Sequence, residues 1–325
     1  MTDELPPDGF VSRPAGVEDA DAIAELVNEV NLAEVGVPWT SSDDVRSDLT
    51  SPGQEPEDAV VLEAGDGSLG GYLMTWRDEP LTTIGLIGFV RPALWGGGLS
   101  TWLLRFGEAR SRERVERLRP AEPIHLQVAR WAQNASAVPL FEALGYRYVR
   151  TFHAMRIELD DRTDAPVVPD GIGIRTFDPE HDAEDVHRAL FEAFEDHWGS
   201  VFDPFEIWMH DTIEAGSGSF DPTFWFVAVE GDEIVGVACC RSSAPISPDA
   251  ANVDELGVRR RWRGRGIARA LLLTAFADAR RRGIGAVELN VDSENPTGAT
   301  RLYEGVGMRP IRSFERWEKL LGADG

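Results

Sequence analysis

Only two cysteines occur in 325 residues, Cys239 and Cys240, side by side in an apolar run. That placement suits neither a disulfide framework nor a metal site, and it predicts a reducing, cytoplasmic setting with no bound metal. Lysine is rarer still: Lys319 stands alone among 32 basic residues, a bias read as nucleotide composition rather than function. No apolar run nears the ~18 residues that a membrane-crossing helix requires. The acidic, proline-bearing opening Met1–Phe10 has no apolar leader core, so no membrane partner is expected. Positive charge is scarce as a whole. With 56 Asp and Glu against 32 Lys and Arg, the net charge of −24 repels phosphate backbones and excludes nucleic acid as a non-specific partner. The same charge attracts a cationic substrate, and it also serves solubility.

Apolar material is well supplied. Hydrophobic residues make up 42%, with ten Trp and fifteen Phe, and the length suits two domains of roughly 150–170 residues. The chain also repeats itself. Val90–Ser100 reads VRPALWGGGLS, and 168 residues later Val258–Ala268 reads VRRRWRGRGIA; NASAVPLFEALG from Asn134 is answered by NPTGATRLYEGVG from Asn295. Each half runs through an opening strand, amphipathic helices, a strand pair, a third strand, a Gly-rich loop, a long helix, a strand, a short helix and a final strand. That order predicts an α/β unit with a mixed sheet, written twice. Asp160–Gly171 (DDRTDAPVVPDG) lacks apolar periodicity and reads as a linker, dividing the chain into residues 1–163 and 164–325, in a monomer or homodimer.

In the second half, Arg261, Trp262, Arg263, Gly264, Arg265 and Gly266 fall between a predicted strand and a predicted long helix. A tight glycine turn at a helix start aims several free N–H groups at one point, backed by the positive end of the helix dipole. Such a turn suits a pyrophosphate, and glycine lets the backbone approach it without an intervening Cβ. Five arginines between 259 and 265 reverse the local charge. The plainer alternative is a turn with solvated arginines. A Rossmann fingerprint would require a third glycine where Arg269 stands, and a Walker loop would require a Gly-Lys-Ser/Thr that is missing.

This R-x-x-G-x-G loop after a strand, followed by Asn295 and by Leu302-Tyr303 on a short glycine-ended helix, resembles the GNAT superfamily of N-acyltransferases. Two such lobes in one chain, the second opening VPDGIGIRTF at Val168, further resemble the mycothiol synthase-like acetyltransferases of actinobacteria. The resemblance implies two tandem GNAT-like domains and acetyl-CoA as cosubstrate. It implies that backbone groups of Leu256 and Val258 pair with the pantetheine arm. Backbone amides from Arg261 through Ala268, those of Arg261, Arg263, Gly264, Arg265, Gly266, Ile267 and Ala268 among them, would hold the pyrophosphate, Asn295 would contact the arm, and Tyr303 would lie near the sulfur. From Asn295 to Tyr303 the spacing is eight, one more than the family's commonest seven, which leaves the contact of Asn295 open.

Acyl transfer to an amine requires that the amine be neutral. With a pKa of about 10.4, its deprotonation at pH 7 takes roughly 4–5 kcal/mol, so a base is needed. Strict strand alternation places Asp254 on the face of Leu256 and Val258 and Glu255 on the other. This favours Asp254 as base, with Glu255 or a water-relayed group as alternatives; where the family often has Glu, two residues earlier, this chain has Asn252. Tyr303 is protonated at neutral pH and can hand a proton to the departing thiolate, while the amide near Leu256 meets the oxyanion. Acceptor recognition is expected from Glu195, His197 and Trp198, within a stretch that also holds Glu192, Asp196, Asp203 and Trp208.

In the first half, Ala93, Trp95 and Gly97 stand where the second has Arg261, Arg263 and Arg265, and Phe141 stands where it has Tyr303. The first half is therefore expected to be degenerate. The expected function is transfer of an acetyl group, by direct attack, to the primary amine of a small-molecule acceptor. By the resemblance this would be the cysteinyl amine of a thiol precursor. A non-catalytic acyl-CoA sensor or scaffold, and a protein lysine or N-terminal acetyltransferase, are the alternatives.

Overall fold

The computed structural model describes residues 5–321 apart from 52, 78–80, 161–163, 199–203, 210–211, 214–219, 245–246 and 296. Along the chain, β1 (Phe10–Pro14), α1 (Ala20–Val35), α2 (Ser42–Leu49), β2 (Ala59–Ala64), β3 (Leu69–Arg77), β4 (Thr83–Val90), α3 (Leu99–Leu118), β5 (Ile124–Trp131) and α4 (Ala137–Ala143) lead to β6 (Arg147–Glu158). Then follow β7 (Gly173–Thr176), α5 (Pro179–Phe194), α6 (Phe205–Met209), β8 (Phe226–Glu230), β9 (Glu233–Arg241), β10 (Ala250–Val258), α7 (Ile267–Arg281), β11 (Ala286–Asp292), α8 (Ala299–Gly305) and β12 (Arg309–Leu321). No helix among the described residues is long and apolar enough to cross a membrane.

Two compact units result: Met1–Arg150 with Phe314–Gly325, and Thr151–Ser313. The first has the strand order β1-β2-β3-β4-β5-β12, the second β6-β11-β10-β9-β8-β7. In the first, β4 and β5 run parallel and every other neighbour antiparallel; in the second, β10 and β11 do the same. The mixed sheet expected from the order of elements is thus present twice.

The division between units falls ahead of the Asp160–Gly171 linker because strand pairing, not chain order, decides membership. Phe314–Leu321 of β12 pairs with Trp131–Ile124 of β5, while Phe152–Glu158 of β6 pairs with Asp292–Ala286 of β11. Each unit takes an outer strand from chain that a simple halving assigns to the other.

Amphipathic spacing decides which helix face is buried. In α1, Ile23, Leu26, Val27 and Val30 recur at three- and four-residue intervals and are buried, and the first three pack with Val61 and Tyr72 on one side of the first sheet. On its other side Leu103, Phe141 and Tyr146 meet Leu126 and, from β12, Trp317 and Leu321. The second unit repeats the plan. Leu271, Leu272, Ala275, Phe276 and Ala279 of α7 cover one face, with Met155 of β6 and Leu289 of β11; Val186 and Leu190 of α5 cover the other, with Val237, Cys239, Trp208 and Trp225. At the start of α5 the Asp178 side chain accepts from the Glu180 amide and Pro179 sits at the first helical position.

Lys319, the lone lysine, holds β12 in the first unit. Its ammonium lies 2.5 Å from Glu108 Oε1 of α3, donates to Leu144 O at 2.9 Å and sits 5.0 Å from the centre of the Tyr146 ring. Glu108 is almost fully buried and keeps Arg112 Nη2 at 3.1 Å from its Oε2, so removing Lys319 takes the ion pair from its Oε1 alone. Lys319→Met is expected to lower stability by about 2 kcal/mol in urea denaturation, and Lys319→Met with Glu108→Leu to recover most of it. An unaffected single variant would show that the pair contributes nothing.

Candidate active site

In the second unit, the parallel pairing of β10 with β11 covers only Ala250–Asn252. Beyond Asn252 the two strands part, so no described strand pairs with the β11-facing backbone edge of Val253–Val258. On its other side β10 remains paired with β9, Leu256 opposite Ala238 and Val258 opposite Gly236. Leu256 and Val258 therefore lie on a strand with one free edge.

The register of β10 against β9 shifts between Val253 and Glu255, which leaves Asp254 as an extra, unmatched residue. Such a bulge breaks strict alternation. Glu255 stands opposite Cys239 of the core under α5, whereas Val253 and Leu256 pack with the core under α7. The alternation that ranked Asp254 above Glu255 does not hold across this bulge. Asp254 is exposed, and its carboxylate accepts from Arg241 Nε and Asn252 Nδ2, both at 2.6 Å. Glu255 is half-buried. Burial, followed by the charge of Asp254, pushes its carboxyl up to about 7, against an opposing hydrogen bond with Cys239.

Arg260–Trp262 form a 3-10 turn, and Gly264 and Gly266 adopt φ of +74° and +84°, the left-handed region that glycine enters without a Cβ penalty. Gly266 caps α7 with no side chain bonded to the helix start. Among the described residues, the amides of Gly264, Arg265 and Gly266 donate to nothing, and helix geometry leaves those of Ile267 and Ala268 free as well. A cradle of unengaged N–H groups at a helix start fits a diphosphate.

The arginines around it are less available than their number implies. Arg259 pairs with Glu192 and Glu233, Arg260 with Glu195 and Asp196, and Arg265 with Glu230. Arg263 points at backbone, its Nε donating to Val258 O at 3.1 Å and its Nη2 to Ala193 O at 2.8 Å. Arg261 is exposed, lies 5.2 Å from the centre of the Trp262 ring and pairs with no described carboxylate. The local reversal of charge is largely neutralised by acids on and just after α5 and at the β8–β9 turn, and among the described residues Arg261 has neither a carboxylate nor a carbonyl partner.

Tyr303 sits on α8, buried, and burial pushes its hydroxyl up to about 12. Ahead of it, Asn295 Oδ1 accepts from Thr297 N at 2.9 Å and from Thr297 Oγ1 at 2.5 Å, a turn that leads to Gly298 as a left-handed cap of α8. Of the residues expected to recognise the acceptor, Glu195 is engaged by Arg260, His197 packs edge-on against Phe194 at 4.6 Å and Trp198 lies 6.4 Å from Phe152. Burial lowers the His197 pKa, and the charge of Arg263 lowers it further against Asp292 and Asp196. Asp203 lies outside the described residues. Sequence reasoning missed the Cys239–Glu255 contact and the Asn252–Asp254–Arg241 chain, because both depend on the bulge, which has no sequence signature here.

The first unit shows the same backbone without the chemistry. β4 meets β5 only at Thr83–Leu86 and then parts from it, and Gly96 and Gly98 keep φ of +80° and +88°. Its register with β3 is unshifted, however, and Leu86 and Ile87 stand where the second unit has Asp254 and Glu255. Phe141 is buried against Trp317 and Tyr146.

A GCN5-related N-acetyltransferase of known structure from Sphaerobacter thermophilus is 36% identical and superposes with a TM-score of 0.82 over 97% of each chain. A mycothiol acetyltransferase of Nocardia farcinica is 30% identical over 305 residues, 90% of this chain and 91% of that one. The chain belongs to the GNAT family of acetyltransferases. The Acetyltransferase (GNAT) family itself matches residues 184–308, the heart of the second unit. A tandem GNAT protein from the clavulanic acid biosynthesis pathway, 16% identical, shares the fold at a TM-score of 0.73 over 97% of this chain and all of that one. As a GNAT enzyme of two tandem units, the protein is an acyltransferase.

Because Glu255 has its raised pKa only in the fold, folding favours its protonated form over the ordinary value of 4.5. That stabilisation is present below about 4.5 and disappears as pH climbs through about 7. Glu255→Gln should therefore gain thermal stability over the wild type as pH rises from 5 to 8. Parallel pH profiles for the two proteins would reject a carboxyl buried in this way.

Proposed function

We propose that the second unit transfers an acetyl group from acetyl-CoA to the primary amine of a small-molecule acceptor by direct attack, and that the first unit is catalytically silent. The observation that carries this reading is the coincidence, on one strand and its loop, of an open backbone edge, a helix start with free amides and a carboxyl poised near neutrality. The edge at Leu256 and Val258 would take the amide-bearing arm as an added strand. Amides from Gly264 to Ala268 would bind the diphosphate, with the Arg261 guanidinium beside them. The coenzyme supplies an acyl group activated as a thioester.

Glu255 is the base in this reading. A carboxylate with pKa about 7 is half-ionised at neutral pH, and Glu255 is free of the Arg241 ion pair that engages Asp254. Its Oε atoms take the proton that the acceptor ammonium must lose before attack. Tyr303, held protonated by burial, gives its hydroxyl proton to the leaving sulfur. An amide on the open edge near Leu256 stabilises the oxyanion. The mycothiol acetyltransferase relatives favour a small thiol-bearing acceptor, such as a cysteinyl amine, over a protein lysine.

Calorimetric titration of acetyl-CoA should show binding that Arg261→Ala weakens about tenfold, the worth of one charge-assisted contact. No heat from the wild type would sink the acetyl-CoA reading. In turnover with a cysteinyl amine, kcat/KM should rise with pH through about 7 and lose that limb in Glu255→Gln. Tyr303→Phe should lower kcat by about 100-fold while Phe141→Leu stays within about twofold. The reverse ranking would place the chemistry in the first unit.

A further inference from the structure

Arg263 stands at an unspecified position of the R-x-x-G-x-G loop, and its side chain turns toward backbone carbonyls. Arg263 is half-buried, and its guanidinium donates to two carbonyls: Val258 O, at the end of the open β10 edge, and Ala193 O, in the last turn of α5. The last four carbonyls of a helix have no partner within it, and a cation there also meets the negative end of the helix dipole. Ala193 O is one of those carbonyls. Immediately beyond it the chain carries Glu195, Asp196 and His197, with the Glu195 amide bonded to Phe191 O and the His197 amide to Phe194 O.

The first unit supplies an internal control. Trp95 occupies the place of Arg263, and its Nε1 donates to Val90 O at 2.7 Å, the carbonyl equivalent to Val258 O. Two unrelated side chains make the same inward bond, so the position is used for anchoring the loop to its strand. Only arginine, with a forked set of donors, reaches a second acceptor and ties in the helix end. Neighbouring bonds run the same way: Glu192 Oε1 accepts from the Arg260 amide at 3.1 Å and Glu192 Oε2 from Arg259 Nε at 2.7 Å.

We propose that Arg263 is a positioning residue that clamps the end of α5, with its acceptor-side residues, to the end of the open β10 edge, and that it is not a ligand of the diphosphate. This rests on the reading above, in which that edge takes the coenzyme. It deepens that reading by making the distance between acceptor side and coenzyme side a property of one guanidinium.

Hydrogen exchange of the segment 191–198 without coenzyme, paired with acetyl-CoA titration, tests it in Arg263→Ala, Arg263→Trp and Arg263→Lys. Arg263→Ala and Arg263→Trp should speed exchange at the Glu195 and His197 amides by about tenfold and leave the acetyl-CoA Kd within about threefold. Arg263→Lys, which keeps a cationic donor, should restore most of the protection. A Kd weakened tenfold or more with exchange unchanged would make Arg263 a phosphate ligand and overturn the proposal; so would exchange that no variant alters. Arg263→Trp carries the side chain of the equivalent loop and guards against loss of the fold. Failure of the wild type to bind acetyl-CoA would count against the proposed function alone, since exchange is read without it.

Discussion

Three residues of parallel pairing, Ala250–Asn252 against Ala286–Glu288, set the terms for the rest of the second unit. A longer ladder would satisfy the backbone of β10 and close the edge; a shorter one would free β11 from the sheet. Stopping at Asn252 leaves strand-ready N–H and C=O groups facing outward without exposing an outer edge of the sheet. The bulge at Asp254 follows at once. It turns Glu255 toward the core under α5, and that burial is what raises its pKa.

Comparison of the units separates scaffold from chemistry within a single chain. Both retain the parted parallel strands, the left-handed glycines and the helix start. The first lacks the bulge, the carboxylates and the tyrosine hydroxyl, so backbone geometry alone is compatible with losing every reactive group. Charge follows a similar economy. Most loop arginines are matched by acids on α5 and the β8–β9 turn, which lets a chain of net charge −24 keep a cluster of cations rigid.

Periodicity and repetition made the architecture legible: the paired glycine loops, the long helices after them and the mixed sheet all follow from local pattern. The left-handed glycine turn ahead of α7 was legible too, since its spacing at a helix start is a local signal. What could not be read were the long-range pairings. The bulge at Asp254 depends on how β9 meets β10, so alternation put Glu255 on the face away from Leu256 but could not show that Asp254 is the extra, exposed residue. The direction of the Arg263 side chain, toward Val258 O and Ala193 O, was hidden as well, because sequence records residue type and not direction. The exchange of outer strands was equally hidden, because nothing in β6 or β12 announces its partner.

That exchange bears on how the protein is made. The first unit is synthesised first, yet Phe314–Leu321 completes its sheet. Until those residues leave the ribosome, β5 presents an unsatisfied edge and Glu108 waits without Lys319. The second unit, from Thr151 to Ser313, has all of its strands earlier. The order of translation and the order of closure are thus inverted, and the part of the chain that emerges first is the part that must be sheltered longest.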